Sequence, residues 1–320
     1  MDIIGSSIEL TRIIFLLGAV LALLYKKRFG VTPGGIIVPG TLAGIVFSSF
    51  TAFLIVLASA GLCYGLYKVL FGSIALTRRW SSLVNVSISL VIGLALTVIL
   101  DHTHQLSQEL TMISFITPGL ISIGARKYGF AKVMGGTLAV TAVCSAVAWF
   151  MALVLPYSML TYLTVKLAGT TPLLLDNPYI TLPISLLSAI LVYYRFGIRG
   201  GGYLIAPFIA VVIFNSPIQA LLLFAGVALS YLAVHTVQRF SMVIGLERFV
   251  LSLFCGYLVV TLMDFLAITF AIPGYTSAPL VLIITVAVLT NDLTLQPIKD
   301  SLAKGFMPTQ IASYVTRLVI

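Results

Sequence analysis

Long apolar runs, separated by short polar breaks or by breaks rich in glycine and proline, fill this chain from about Ile8 to Thr290 and predict membrane-spanning helices. Hydropathy places about eleven spans, at 8–25, 30–48, 50–71, 82–100, 112–124, 131–155, 179–194, 201–214, 217–236, 246–264 and 276–290. Several fall short of the ~20 residues that a straight helix needs to cross a bilayer, and most of those are the segments that proline and glycine interrupt. The first run, from about Ile13, is not followed by a small-residue cleavage site, so it reads as a span and not as a removed signal peptide. The fold class that follows is all-α, a polytopic transmembrane helical bundle.

Two interrupted segments stand out, Gly30-Val-Thr-Pro-Gly-Gly-Ile-Ile-Val-Pro-Gly40 and Ile116-Thr-Pro-Gly119, and both have counterparts in the second half. Arg28-Phe-Gly-Val31 returns as Arg195-Phe-Gly-Ile198, followed by Gly200, Gly201, Gly202 and Pro207, and Thr117-Pro118 has a weaker counterpart in Ala278-Pro279. The chain therefore reads as one membrane unit written twice. Residues 1–130 hold the first repeat, 131–179 a connecting span and an extracytoplasmic linker, 180–300 the second repeat, and 301–320 a cytoplasmic tail. Each repeat has about five spans, and the span at 131–155 returns the chain so that both copies start on the same side. The repeats are then parallel, related by a pseudo-twofold axis along the membrane normal, like a fused homodimer. Pro297 to Lys304 in the tail forms an amphipathic segment that either lies on lipid or meets a soluble partner.

Composition agrees. Hydrophobic residues make up 60% of the chain and charged residues 8%, against about a quarter charged in a soluble domain, which excludes that class. Charge also orients the spans. With the N-terminus outside, one face carries sixteen basic and three acidic residues, a net +13, and the other carries a net −4. Loops rich in Lys and Arg stay in the cytoplasm, so the N-terminus is placed outside and the C-terminus inside. That rule accounts for the overall +9 charge without a nucleic-acid partner. Cys63, Cys144 and Cys255 fall in apolar spans without metal-ligand spacing and read as small buried hydrophobes.

Pro33, Gly34, Gly35, Pro39 and Gly40 lie within eight residues, too dense a set for one continuous helix, because each proline removes a backbone hydrogen bond. Broken helices at membrane depth must turn their freed backbone groups toward protein or water, which suits a lined polar cavity or a re-entrant turn. Gly40-Thr-Leu-Ala-Gly44 suits plain close packing equally. Pro118, Gly119 and, in the second half, Pro279 mark the companion break. Beside these breaks stand Lys26, Lys27 and Arg28, then Arg126 and Lys127, then Arg195 and Arg199. They are either cytoplasmic anchors or, joined to helix N-termini and bidentate guanidinium groups, a mouth for a carboxylate-rich substrate. Asp101 and Asp264 close corresponding spans at the outer face, as boundary markers or as an acidic exit. Arg78, Arg79, Glu247 and Arg248 are candidates for docking a partner, with Glu247 and Arg248 otherwise pairing with each other. His102 and His104 form a His-x-His fragment with no third ligand close in sequence, so no metal site is assigned.

Absences narrow the chemistry. No phosphate-binding Gly-x-x-x-x-Gly-Lys-Ser/Thr, His-Glu-x-x-His or Gly-x-Ser-x-Gly occurs, and no acidic residue or histidine lies near the middle of an expected span. Catalytic residues are therefore none, and any reaction that the protein serves belongs to another chain.

Phe29-Gly-Val-Thr-Pro-Gly-Gly-Ile-Ile-Val-Pro-Gly40, Phe115-Ile-Thr-Pro-Gly-Leu120 and Gly245-Leu-Glu-Arg-Phe249, leading through Gly256 to Asp264-Phe-Leu266, resemble the small membrane subunit of poly-gamma-glutamate synthase, the PgsC/CapC family. One unit covers roughly residues 10–150 and a weaker copy 180–300, with Pro33 replaced by Gly200, Pro39 by Ala206 and Thr-Pro-Gly by Ala-Pro-Leu. The resemblance implies a complex in the bacterial inner membrane. A Mur-ligase-like, ATP-dependent amide ligase of the PgsB/CapB type, using ATP and Mg, extends the polymer, and an extracytoplasmic PgsA/CapA-type subunit is a further expected partner. The membrane subunit itself is expected to hold no cofactor, to support the ligase and to pass the anionic polymer outward. A stand-alone carrier for a small organic anion and a membrane anchor for another cytosolic ligase are the alternatives.

Overall fold

The computed structural model describes residues 8–72, 84–85, 87–93, 95, 117–154, 209, 217–270 and 280–295. The chain divides into two compact units, Met1–Thr164 and Val165–Ile320. Every regular element among the described residues is helical. Unit 1 holds α1 (Ile8–Phe29), α2 (Val38–Ser48), α3 (Phe50–Phe71), α4 (Thr117–Tyr128) and α5 (Phe130–Val154), with further helical residues at 84–85, 87–93 and 95. Unit 2 holds α6 (Pro217–Phe240), α7 (Leu246–Thr269) and α8 (Leu280–Leu295).

Among the described residues, four helices are long and apolar enough to cross a membrane: Phe50–Phe71, Phe130–Val154, Ala220–Phe240 and Leu246–Ala267. This corrects the expected count of about eleven. The expected spans at 179–194 and 201–214 fall wholly or almost wholly outside the described residues and that at 82–100 does so in about half, while two others, expected to be broken, hold only short helices among the described residues. Residues 30–37 form an irregular segment, and only the 11-residue α2 follows, about 16 Å of helix against a ~30 Å hydrocarbon core. The segment at 112–124 holds the 12-residue α4, which starts at Thr117. Hydropathy registers apolarity and is blind to whether the backbone hydrogen bonds run on.

Local chemistry explains the interruptions. Gly34 and Gly35 have φ of +63° and +120°, conformations that side chains with a Cβ rarely adopt, and α2 starts just beyond them with Pro39 in its first turn. Ser49 is extended between α2 and α3, and its hydroxyl accepts the Ala52 N–H at 3.2 Å to cap α3. Gly129, at φ +91°, separates α4 from α5 and donates its N–H to the Ala125 carbonyl at 2.8 Å.

Packing in unit 1 depends on small residues, as expected where lipid removes the hydrophobic drive between helices. Gly18 and Gly40 bring the α1 and α2 backbones into contact, and a Cβ on Gly40 would meet the Phe15 carbonyl oxygen at 2.7 Å. Val38, Leu42 and Ile45 of α2 join Val56 and Ala60 of α3, Ile121 of α4 and Val133 of α5 in one core. α5 also packs on α1 through Val140, Cys144 and Ala148, so it belongs to the first unit's bundle. In unit 2, α6, α7 and α8 pack mutually around Leu223, Val227, Val260, Ile283 and Val286. Leu54, Leu62 and Leu66 on α3, and Phe254, Leu258 and Leu262 on α7, face outward, as a lipid-exposed surface requires.

α3 and α6 bury the same register. Phe53, Val56, Ser59, Ala60, Cys63 and Tyr67 are buried on α3; Ala220, Leu223, Gly226, Val227, Ser230 and Val234, each 167 residues later, are buried on α6. At the same offset of 167, buried Asn85, Ser89 and Gly93 match buried Ser252, Gly256 and Val260, and Gly256 approaches the Ala287 backbone as Ser89 approaches Gly119. At an offset of 168, Thr117, Pro118, Gly119 and Ser122 match Thr285, Val286, Ala287 and Thr290, all buried. The expected counterpart of Thr117-Pro118, Ala278-Pro279, lies outside the described residues; at this register Thr285 of α8 takes the place of Thr117.

Candidate functional site

One end of unit 1 gathers cations. Lys26, Lys27 and Arg28 occupy the last turn of α1, Lys68 the last turn of α3, and Arg126 and Lys127 the last turn of α4. Helix C-termini carry partial negative charge, which favours basic residues there. Aromatic contacts hold these ends together. The Arg126 guanidinium lies 4.6 Å from the Tyr67 ring centre, the Lys127 ammonium 4.7 Å from that of Tyr128, and Tyr64 stacks on Phe130 at 5.1 Å. Tyr25 of α1 presses on Gly136 of α5, where a Cβ would come within 2.8 Å of its ring. The Lys127 side chain bonded to Tyr128, then Thr32 and the Lys26 charge, hold the Tyr128 phenol below its ordinary range against a smaller opposing effect of burial.

The irregular segment leads from this collar into the interior. A Cβ on Gly34 would meet Ile121 of α4 at 2.9 Å and Thr137 of α5 at 3.0 Å, and Thr141 donates to the Pro39 carbonyl at 3.5 Å. Pro33, Gly34, Pro39 and Gly40 are buried and Gly35 nearly so, so the segment is both interrupted and tightly packed. α2 runs from there toward the start of α3, whereas α4 runs to the cationic end. The first turns of these two short helices approach each other through Gly34 and Gly35. Their partial positive ends thus lie in the interior of the unit.

Pro118 and Gly119 sit in the first turn of α4, and a polar cluster that sequence reasoning missed fastens this turn. The Gly119 N–H donates to Ser89 Oγ at 2.8 Å, Ser122 Oγ donates to Asn85 Oδ1 at 2.6 Å, and Cys63 Sγ donates to the Asn85 carbonyl at 3.6 Å. Asn85, Ser89, Thr117 and Ser122 are all buried. Cys63 is therefore a hydrogen-bond donor as well as a small apolar group. The signal was present in sequence as three small polar residues, Asn85, Ser89 and Ser122, within otherwise apolar segments.

In unit 2, Glu247 and Arg248 open α7, and Arg248 Nε donates to Asn291 Oδ1 of α8 at 3.3 Å. α7 continues to Thr269, so its span does not close at Asp264, which lies more than a turn inside and is fully buried. Phe265-Leu-Ala-Ile268 prolongs the apolar stretch past the charge at which the expected span ended. Asp292, expected beyond the last span, lies within α8 and is largely buried. Arg78, Arg79, Asp101, Arg195, Arg199, Gly200, Gly201, Gly202, Pro207 and Pro279 lie outside the described residues, as do His102 and His104.

Two copies of a helical unit, with membrane-length apolar helices in both and buried polar junctions at matching positions, define a duplicated polytopic membrane protein. The profile of the family described as "Capsule biosynthesis CapC" matches residues 17–134 and again 184–302, and the chain belongs to that family. Over 137 residues it is 29% identical to the PGA biosynthesis protein CapC of Bacillus subtilis (strain 168), a match that takes in 85% of that relative and 39% of this chain. It is 27% identical over 136 residues to the capsule biosynthesis protein CapC of Bacillus anthracis, with the same coverage. Such coverage is what one unit of a doubled chain produces. No solved structure matches the chain significantly.

Proposed function

We propose that this chain is the non-catalytic membrane subunit of a poly-gamma-glutamate synthase, which supports a cytosolic ATP-dependent amide ligase and conducts the anionic polymer outward. The ligase is of the PgsB/CapB type and brings ATP and Mg to the complex; an extracytoplasmic PgsA/CapA-type subunit is a further partner. The observation that carries this reading is the collar of cations where three helices of unit 1 end, in a chain whose two halves each match the capsule family. A polyanion is drawn to such a collar, and helix N-termini directed into the interior favour anions along the way. In this reading the collar faces the cytoplasm of a bacterial inner membrane, with the N-terminus outside and the C-terminus inside.

The test is co-expression with the ATP-dependent ligase encoded beside this chain, purification through a tag on this subunit, and assay for polymer dependent on ATP and glutamate. Co-purification with polymer formation is expected. A partnerless protein that moves glutamate into liposomes would replace this reading with that of an organic-anion carrier. Replacing Arg28 and Arg195 together by Ala should lower polymer output while insertion is preserved, and unchanged output would remove the cationic mouth from the account.

A further inference from the structure

Three buried polar residues hold corresponding places in the two units. In unit 1 they are Cys63, Asn85 and Ser122, joined by Ser122 Oγ to Asn85 Oδ1 at 2.6 Å and by Cys63 Sγ to the Asn85 carbonyl at 3.6 Å. At the registers given above, their partners in unit 2 are Ser230, Ser252 and Thr290, each fully buried. Packing within unit 2 brings these three to one level without reference to unit 1. A Cβ on Gly226 of α6 would lie 3.7 Å from Val286 of α8, and one on Gly256 of α7 would lie 3.4 Å from the Ala287 nitrogen. One turn from those contacts, toward the ends of α6 and α8 and the start of α7, stand Ser230, Thr290 and Ser252.

Two of the three exchanges shorten what reaches across the junction. Ser230 carries oxygen where Cys63 carries the larger sulfur, whose contact at 3.6 Å is already longer than an O–H···O bond. Ser252 lacks the carboxamide that Asn85 extends to Ser122, and its hydroxyl turns to the Arg248 carbonyl of its own helix at 3.0 Å. Thr290 adds only a methyl group to what Ser122 supplies, so the centre of the junction keeps its polar groups and loses the side chain that linked them. Ser230 Oγ and Thr290 Oγ1 have no hydrogen-bond partner. Nor do they fold back on the carbonyl four residues earlier, as the hydroxyls of Thr236, Ser252 and Thr269 do.

Buried hydroxyls without partners are costly, and the cost vanishes when a small group that both accepts and donates lies between them. From this we infer that Ser230, Ser252 and Thr290 hold one buried water molecule in the place that the Asn85 carboxamide takes in unit 1. The water accepts from Ser230 and Thr290 and donates to Ser252, and about three bonds are what a buried water usually makes. A cation fits less well, because the three side chains offer neutral oxygens and no charge to offset its own. The helices of unit 1 are thus fastened side chain to side chain, and those of unit 2 through a water. This site is independent of the function proposed above.

The test is a density map of the full chain in lipid nanodiscs, at a resolution that shows ordered water, together with thermal unfolding of two variants of nearly equal volume, Ser252→Asn and Ser252→Leu. A separate peak is expected within hydrogen-bond distance of Ser230 Oγ, Thr290 Oγ1 and an oxygen of Ser252, with no such peak among Cys63, Asn85 and Ser122. Ser252→Asn should erase the peak and hold the thermal midpoint level or raise it by a few degrees, because the new carboxamide reaches Thr290 as Asn85 reaches Ser122. Ser252→Leu should also displace the water but lower the midpoint, since it leaves both hydroxyls with nothing to bond. Ser230 and Thr290 turned onto carbonyls of their own helices, with no peak between them, would overturn the site. So would a midpoint that falls as far in Ser252→Asn as in Ser252→Leu, because the junction then has no room for the side chain that the water replaces. A peak that strengthens when rubidium replaces sodium would make the occupant a cation and overturn the water.

Discussion

At the junction of three helices, unit 1 places a thiol, an amide and a hydroxyl that bond to one another, while the matching positions of unit 2, Ser230, Ser252 and Thr290, place three hydroxyls, of which Ser252 donates to the Arg248 carbonyl and the other two are left without partners. The surrounding apolar registers agree position for position, so the difference is confined to the polar groups. A satisfied buried network rigidifies the helices that share it, whereas an unsatisfied one carries a cost that only a bound group removes. Doubling the unit allows both. One copy retains a closed, self-supporting junction, and the other bears an open one, because the rest of its bundle still packs through Gly226 and Gly256.

Exchanging the junction residues breaks this comparison most severely. Asn85→Arg forces an unpaired cation into the closed site and should cost about 3–5 kcal/mol, seen as lost accumulation or an early unfolding transition in detergent. Arg248→Asn, at the half-buried start of α7, should leave the fold standing in the same assay; equal damage from both would mean that the two sites are equally closed. Next in size is Gly40→Val, which drives a branched side chain into the Phe15 carbonyl and should destabilise by about 1–3 kcal/mol or displace α2. Ser122→Ala follows, leaving Asn85 Oδ1 without its donor at a cost of about 1–2 kcal/mol, which thermal unfolding of the purified chain would measure.

The smallest effect concerns the cationic end. Tyr128 should ionise below the ordinary value of 10.0, and Lys127→Ala should raise its midpoint, read as phenolate absorbance against a Tyr128→Phe reference. Because the folded-state value is the lower one, the associated stabilisation is complete only above the unfolded value. It disappears as pH falls through the folded-state value, so the window lies just below pH 10.

Much of this was legible in the chain. α3 was expected at 50–71 and found at Phe50–Phe71, and the break expected at 30–40 is found as the irregular segment before α2, because proline and glycine act through local backbone geometry. The grouping of Arg126 with Lys26–Arg28 followed from topology. The count of spans was not legible, since an irregular stretch and a short helix are as apolar as one long helix. The buried register that pairs Thr117 with Thr285 has no local motif to announce it, whereas Ala278-Pro279 lies outside the described residues.

By itself, then, the sequence determined the helical membrane class, the duplication, the places where helices break and the cationic ends. These follow from apolar run length, from charge and from the stereochemistry of single residues. Only the tertiary structure decided that Asn85 meets Ser122, that Arg248 meets Asn291, and that Ser230 and Thr290 are buried without partners. Those facts depend on which faces of separate helices touch, a matter of packing between residues far apart in the chain.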